Sequence, residues 1–282
     1  MRANLMINYN GRIYPVNDAV FPLNRAMSYG DGLFESIRIH EGEMLFFDDH
    51  LQRMMAGMKA LKIEIPDHYG AFFFHKQIMD LAIKEEMGGN ARVRISIFRS
   101  GGGLYEPQLQ QPEYFIQVMP LDDGFKWNED KFELGIFNEV PTNFSSISFF
   151  KSMNALPYVL AAMYRNENQL DDCLLLNSFG KVTDAISSNI FWINQGNIFT
   201  TPLSDGCIDG VMRKHLLRIF AERNFSFQEK SILPESLLLA DEVFITNVGW
   251  GIQPVTIFGK KKFTTSQTKK VFQLLLKSLS KQ

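Results

Sequence analysis

The segment from Ser148 to Arg213 holds the residues whose types and spacing best suit chemistry. Lys151 follows the aromatic pair Phe149-Phe150 and precedes a stretch with helical spacing. Apolar surroundings disfavour a charged ammonium, so a lysine placed there loses protons more readily and becomes a nucleophile. The plainer alternative is a lysine snorkelling at a helix start, where its charge is mildly unfavourable. Further along, V-T-D-A-I-S-S-N sets Asp184 one step after Thr183 and ahead of Ser187, Ser188 and Asn189. That acid could face a heterocycle nitrogen or simply fill a turn. Then T-P-L-S-D-G-C-I-D-G-V-M-R-K places Gly210 at a helix start, where backbone N–H groups and the helix dipole make an anion site. The alternative is an ordinary helix capped by Asp209.

Several other chemistries lack their motifs. Gly101-Gly102-Gly103 is not followed by Lys-Ser/Thr, so it is not a nucleotide phosphate loop. There is no G-x-G-x-x-G after a strand, no H-E-x-x-H, no C-x-x-C and no G-x-S-x-G, and the five histidines are scattered. Two cysteines, Cys173 and Cys207, are too few for a disulfide framework and lack zinc spacing. With 29 Lys+Arg against 31 Asp+Glu, the formal charge of −2 argues against nucleic-acid or membrane-surface binding. MRANLMINYNGRIYPV lacks the apolar stretch of a signal peptide, and no run reaches the roughly 18 apolar residues of a membrane span. A soluble, cytoplasmic protein acting on a small molecule is the expectation.

The elements that must position these residues change period along 282 residues, a length suited to about two domains. LMINY and RIYPV read as strands around Asn10-Gly11, a two-residue hairpin signal. GLFESIRIH reads as a strand, with Glu41-Gly42 turning into MLFF. Asp48 or Asp49 can cap a helix in which Leu51, Met54, Met55, Met58 and Leu61 recur at steps of three and four. A second helix is expected from Asp67 to about Met87, ended by Gly88-Gly89. ARVRISIF and EYFIQVM flank the loop RSGGGLYEPQLQQP as neighbouring strands. After Pro120–Asp130 come a strand over Phe132 to Val140 and a helix from about Asn154 to Asn168. Strands DCLLLN, NIFWIN and NIFTT follow, with turns at Phe179-Gly180 and Gln195-Gly196. A helix near Gly210, strands in DEVFIT and IQPVTIF, and a helix from Ser266 to Lys281 striped with Val271, Leu274, Leu275 and Leu279 complete the chain. The expected division is an N-terminal α/β domain over 1–119, a linker over 120–130 and a C-terminal domain over 131–282. The class is α+β, with much antiparallel or mixed sheet.

Taken in order, NRAMSYGDGLFESIR, DDHLQRM, KSMNALPYVLA, LLLNSFGKVTDAISSNIFWI, TTPLSDGCIDGVMRK and DEVFITNVGWGIQPV resemble the class-IV aminotransferase family. These are the pyridoxal-phosphate enzymes of fold type IV, which include branched-chain and D-amino-acid aminotransferases and 4-amino-4-deoxychorismate lyase. The resemblance runs from about Asn24 to about Val255. It implies a two-domain architecture like that of D-amino-acid aminotransferase, pyridoxal 5'-phosphate as cofactor, a site at the domain boundary, and a homodimer.

Residue by residue, Lys151 matches the family's Schiff-base lysine and is the expected catalytic residue. Arg53 matches the arginine that pairs with the cofactor phosphate, for which a guanidinium fork is suited. Asp184 falls where the family usually has a glutamate that keeps the pyridine nitrogen protonated; it keeps the charge but is one methylene shorter. Ser187 and Ser188 share its motif, and Asn189 is expected to orient the turn. Ile208 matches the residue packed under the ring, while Gly210, Val211 and Met212 lie where backbone N–H groups meet the phosphate. Thr246, Asn247 and Val248 fall in the last phosphate-side motif, and Val248 can supply only a backbone donor where a hydroxyl is often found. On the substrate side the resemblance points to Tyr29, Gly30, Glu35 and Ser36, with Tyr29 often reaching into the neighbouring subunit. Arg92, Arg94 and Arg99 are candidates for a substrate carboxylate, and alternation puts Arg92 and Arg94 on one strand face.

Within the family the branch is less decided. Leu156 stands where branched-chain enzymes have a tyrosine touching the ring hydroxyl, and Ser36 stands where they tend to have glycine. KSMNALPYVLA, the Cys207-to-Arg213 stretch and ITNVGWGIQPV look more like the lyase. The expectation is an aminotransferase moving an amino group between an amino acid and a 2-oxo acid. The alternative is the lyase, which releases pyruvate and 4-aminobenzoate. A D-specific enzyme ranks third, since Ser100 to Gln111 shows no convincing carboxylate-trapping pair. A cofactor-binding homologue without turnover is the remaining alternative.

Overall fold

In the computed structural model, which describes residues 5–18, 24–121 and 124–280, Asn10 and Gly11 adopt φ of 48° and 85°. These left-handed values suit the tight turn that pairs Met6–Tyr9 (β1) with Arg12–Pro15 (β2). Met1–Asn4, the linker residues Asp122 and Asp123, and the expected helix end at Lys281 lie outside the described residues. The chain forms two compact units. One takes the described residues up to Gly124 together with Phe150–Asn154; the other takes Phe125–Phe149 and the chain from Ala155 onward.

In the first unit, a short helix Arg25–Tyr29 (α1) leads into the long strand Gly32–His40 (β3). Then come Glu43–Met44 (β4), Phe47–Ala60 (α2), Ala71–Lys84 (α3), Ala91–Arg99 (β5) and Pro112–Pro120 (β6). The strands pair antiparallel throughout, in the order β2-β1-β6-β5-β3-β4. Period-two alternation sorts the two faces. Leu33, Ile37 and Ile39 of β3 join Val93, Ile95 and Ile97 of β5 in the core, covered by Met54 and Met58 of α2 and Phe74, Ile78 and Leu81 of α3. The opposite phase carries Phe34, Ser36, Arg38, Arg92, Arg94 and Ser96.

Boundaries differ from the sequence reading for local reasons. Phe46, at φ 55°, starts α2 without a side-chain cap, so Asp48 and Asp49 sit in the first turn, where their charge suits the dipole. The second helix is shorter than Asp67 to Met87: it starts after Gly70 and stops as Glu86 turns left-handed at φ 57°. MLFF contributes only the end of a two-residue strand.

The second unit contains Glu133–Phe137 (β7), Leu156–Glu167 (α4), Asp172–Leu176 (β8), Val182–Ala185 (β9), Asn189–Asn194 (β10) and Asn197–Thr200 (β11). Val211–Glu222 (α5), Phe227–Glu229 (β12), Pro234–Leu237 (α6) and Glu242–Asn247 (β13) follow. Gly251–Val255 (β14), Ile257–Phe258 (β15), Lys261–Lys262 (β16) and Ser266–Leu279 (α7) end it. Two mixed five-stranded sheets result, ordered β16-β15-β7-β8-β9 and β12-β11-β10-β13-β14. Leu134, Leu174 and Val182 of the first join Ile190, Trp192, Val243 and Ile245 of the second in one core. IQPVTIF divides at Thr256, whose N–H and hydroxyl engage Phe132 and carry the chain from one sheet to the other. Asp184, read as facing a ligand or filling a turn, lies inside β9, a strand buried at all four positions.

Lys151 does not group with the second unit, where a division at 120–130 would put it. Phe34 N–H donates to the Lys151 carbonyl at 2.8 Å, and Met153 N–H donates to the Gly32 carbonyl at 2.9 Å. These bonds graft 151–153 onto the start of β3. Gly32 lets both neighbours approach: a Cβ there would lie 2.6 Å from the Ile97 carbonyl oxygen of β5 and 2.9 Å from Met153 Sδ of the grafted segment. Gly32→Ala should therefore cost about 2 kcal/mol in urea unfolding, and an unchanged midpoint would show the site to be roomier than described.

Candidate active site

The free edge of β3 explains how the first unit holds its lysine. β4 pairs only with Ile39 and His40, so the early residues of β3 keep an open edge, and the Lys151 segment takes it. The Lys151 Nζ lies 5.1 Å from the centre of the Phe34 ring, and the Arg94 guanidinium carbon lies 3.8 Å from the same centre. Burial, and then the charge of Arg92, pulls the Arg94 pKa down, though an arginine stays charged.

Glu35, one residue on, points to the opposite face and is 2% exposed. Its Oε1 accepts from Arg53 Nε at 2.8 Å and its Oε2 from Arg53 Nη2 at 2.6 Å. His50 lies three residues before Arg53 on the same face of α2, and its Nδ1 is 2.7 Å from Glu35 Oε2. Burial raises the Glu35 pKa, but the Arg53 charge and the bonds from His50 and Arg53 outweigh it and hold the carboxyl at about 2. Burial lowers the His50 pKa against the pull of Glu35. A neutral ring that donates from Nδ1 leaves Nε2 as an acceptor, and Nε2 has no hydrogen-bond partner among the described residues.

In the second unit, Asp184 is 2% exposed. Its Oδ1 accepts from Asn189 Nδ2 at 2.8 Å, and its Oδ2 accepts from Ile208 N–H at 2.9 Å and from the Tyr158 hydroxyl at 3.5 Å. Asn189 Nδ2 also donates to the Ile208 carbonyl, tying β10 to the segment before α5. Gly210, not Asp209, is the N-cap of α5, and no side chain caps that end. A Cβ on Gly210 would fall 1.8 Å from Asn189 Oδ1, so only glycine allows this approach. Val211 and Met212 bury their side chains, and as first-turn residues their N–H groups have no intrahelical acceptor. Asn247 Nδ2 donates to Ser188 Oγ at 3.1 Å and to the Ser187 carbonyl at 3.3 Å, while its Oδ1 accepts from Gly249 and Trp250 N–H. Thr246 gives its hydroxyl to the Gly251 carbonyl, and Val248 lies in the turn that follows β13. Burial first, and Asp184 second, push the Cys207 thiol up to about 12, so it is no nucleophile.

The substrate-side residues separate by strand phase. Arg92 donates to Ser36 Oγ at 3.0 Å, and Arg94 lies on the same face over Phe34. Arg99 is in phase with the core and is engaged elsewhere: by Asp31, by the carbonyls of Leu61 and Lys62, and by Gln110. Tyr29 stands beside Arg25 and Tyr105, and Arg25 in turn bonds Asp31 and the Leu104 carbonyl. The residues that sequence reasoning missed are His50 and Tyr158. His50 had a signal, its i, i+3 spacing to Arg53; Tyr158 had none, because a tyrosine in an amphipathic helix reads as core.

Glu35 ties stability to pH with a definite sign. A carboxylate whose folded pKa is depressed contributes in full above its unfolded range, and the contribution is lost as pH falls through about 2. The stability gap between the native chain and Glu35→Gln should thus shrink by on the order of 2 kcal/mol between pH 5.5 and 2.5 in urea unfolding. A gap constant over that range would mean that the carboxylate is not held by Arg53.

Comparison with known proteins gives this arrangement a family. A sequence model described as amino-transferase class IV matches residues 32–258. Aminodeoxychorismate lyase of Bacillus subtilis is 30% identical over 258 residues, covering 89% of this chain and 86% of that protein. D-alanine aminotransferase of Bacillus licheniformis is 25% identical over 266 residues, covering 89% and 88%. The crystal structure of branched-chain aminotransferase from Thermoproteus uzoniensis superposes with a TM-score of 0.85 at 22% identity, over 96% of this chain and 94% of that one. The α+β architecture is therefore that of the fold-type IV aminotransferases. With most of its length matched both by the family and by a 30%-identical relative, the chain belongs to amino-transferase class IV.

Proposed function

We propose that this protein is a pyridoxal 5'-phosphate-dependent aminotransferase that moves an amino group between an amino acid and a 2-oxo acid. The observation that carries this reading is the placement of Lys151. A flexible side chain has its segment pinned to β3 by two bonds, one at its own carbonyl and one at Met153, and its amine lies over Phe34. The donor sets suit the cofactor. Asp184 is a buried acid fixed by Asn189 and Ile208, Arg53 is a guanidinium fixed by Glu35, and α5 begins with an uncapped turn cradled by Gly210.

When bound, the cofactor supplies an electron sink for the pair left on the substrate Cα after its proton is removed. The chain does the rest. Lys151 would hold the cofactor through its amine, and that amine, once free, would take the proton from the substrate Cα at Nζ and pass it on to the cofactor side rather than back to Cα. Asp184 would hold the protonated pyridine nitrogen and balance its charge; the Asn189, Ile208 and Tyr158 donors restrain a carboxylate one methylene shorter than the usual glutamate. Arg53 and the Val211 and Met212 amides would hold the phosphate, with Ser188 and Asn247 shaping the neighbouring turn. Ile208 would supply the apolar contact beneath the ring. The face with Phe34, Ser36, Arg92 and Arg94 meets the substrate, and Arg94 is favoured over Arg99 because Arg99 is committed to Asp31 and the 61–62 carbonyls.

A second reading is the elimination of pyruvate from aminodeoxychorismate. Two observations favour it: the 30%-identical relative is named as that lyase, and Leu156 leaves no tyrosine hydroxyl at its position. On either reading the protein is a cytoplasmic homodimer. The apolar stripe of Leu156, Val159, Leu160 and Met163 on α4, 39–70% exposed, supports a covered surface there.

Lys151→Ala should lower turnover by roughly a thousandfold or more and remove the visible absorbance of the loaded protein, with circular dichroism unchanged. Persistent absorbance would assign the chemistry to another lysine. A single-turnover spectrum with leucine, glutamate and D-alanine decides the reaction. Conversion of the cofactor band to the pyridoxamine form identifies an aminotransferase and its donor. No conversion, together with pyruvate release from aminodeoxychorismate, identifies the lyase.

A further inference from the structure

We infer that Glu35 and His50 are positioning residues that aim the Arg53 guanidinium at the cofactor phosphate. The inference rests on the reading of Arg53 as a phosphate ligand and adds what makes that ligand directional. The grip on Arg53 is side-on. Nε and Nη2 donate to the two oxygens of one carboxylate at 2.8 and 2.6 Å, so the guanidinium plane cannot rotate without breaking both bonds. Fixing that plane fixes the direction of its outer Nη edge.

The carboxylate is fixed in its turn. Glu35 Oε2 accepts from both Arg53 Nη2 and His50 Nδ1, the latter at 2.7 Å, so it cannot swing with the arginine. His50 and Arg53 come from one helix, and Glu35 comes from an inner strand of a six-stranded sheet. Both supports are rigid, which is what a preorganised binding group requires.

A purely stabilising role does not explain the cluster. Glu35 lies in phase with Leu33, Ile37 and Ile39, where an apolar side chain would avoid burying a charge and is often no less stable. His50 is 1% exposed and leaves Nε2 without a hydrogen-bond partner among the described residues, a cost that a leucine would not carry. Both residues give up core stability, and what the geometry returns is a fixed arginine. Because His50 acts as a neutral donor, replacing it alters the aim of Arg53 and leaves the charge of the cluster unchanged. That separates positioning from electrostatics.

The experiment is the affinity of apoprotein for pyridoxal phosphate and for pyridoxal, which lacks the phosphate, each titrated by absorbance. The ratio of the two dissociation constants reports phosphate recognition alone. His50→Gln carries its amide where Nε2 lies and loses the bond to Glu35, whereas His50→Asn can present an N–H near Nδ1. His50→Gln should reduce the preference for pyridoxal phosphate about tenfold, as the loss of one charge-assisted hydrogen bond implies. Pyridoxal affinity should stay within about twofold, and His50→Asn should restore the preference. Glu35→Gln, which puts an amide N–H against one of the donors, should act like His50→Gln and serves if that variant does not fold; apoprotein melting by circular dichroism checks both.

An unchanged ratio in folded His50→Gln and Glu35→Gln overturns the inference. So does a parallel fall in both affinities, which is what a merely structural role gives. Arg53→Gln tests the underlying reading separately. If it abolishes the preference while the His50 and Glu35 variants keep it, only the positioning role fails. If the preference survives Arg53→Gln, the phosphate assignment fails and the inference with it.

Discussion

The vacant edge at the start of β3 is the constraint on which the first unit depends. A nine-residue strand flanked on one side by a two-residue partner leaves backbone groups at residues 32–34 that must be paired. They are paired by 151–153, a segment more than a hundred residues away in sequence. The same strand then works through its alternation. Phe34 faces the Lys151 amine and Arg94, while Glu35 faces α2 and Arg53. A one-residue slip of β3 would exchange these faces, burying Phe34 and exposing the acid. Register here is therefore a condition of the chemistry as well as of the core.

How far this could be read in advance depended on whether a residue's environment was local. The hairpin at Asn10-Gly11 and the β3 strand follow from nearest neighbours, and their sequence signals are strong. The ordered motifs were enough to show the family, and the expectations for Lys151, Arg53 and Asp184 came with that resemblance. Phase carried more than was taken from it. Glu35 sits in step with Leu33 and Ile37, and Arg99 in step with Val93, Ile95 and Ile97, so both were legible as core-facing groups needing partners, in contrast to Arg92 and Arg94. Non-local pairings were not legible. The membership of Lys151 in the first unit rests on Phe34 and Gly32, and the choice of Gly210 over Asp209 as cap rests on contact with Asn189. No window of residues around either position contains that information.

Two acids of the first unit that pair with arginine, buried Glu35 and half-buried Asp31, are handled differently. Asp31 is shared by two arginines: Arg25, which also bonds the Leu104 carbonyl, and Arg99, which also bonds the carbonyls of Leu61 and Lys62. Burial raises its pKa, and the hydrogen bonds from Arg99 and Arg25 outweigh that and lower it. Its partners are both cationic, and those arginines spend their other donors largely on main-chain carbonyls, the arrangement of a structural clamp on the loop 100–111. Glu35 has one arginine and one neutral histidine, so its charge is balanced without surplus. A surplus cation on main-chain carbonyls stitches a loop; a balanced pair with a side-on grip orients a single group.

That difference bears on where selectivity between transamination and elimination must lie. Removal of a proton from Cα is common to both, so Lys151, Asp184 and Arg53 in their proposed roles would serve either outcome equally. What differs is the group leaving or entering beyond Cα, and it has to be met by residues outside that set. On the proposed reading, the candidates in the first unit are the Phe34, Ser36, Arg92 and Arg94 face of the sheet and the loop 100–111. The loop is not free to adapt to its substrate: Arg25 bonds the Leu104 carbonyl and lies near those of Gly102, Gly103 and Tyr105, while Leu104 and Tyr105 remain 78% and 90% exposed. A backbone held this way presents fixed side chains. Substitutions at the tip should therefore alter selectivity more readily than a change in loop motion would, because the conformation is set by an arginine outside the loop.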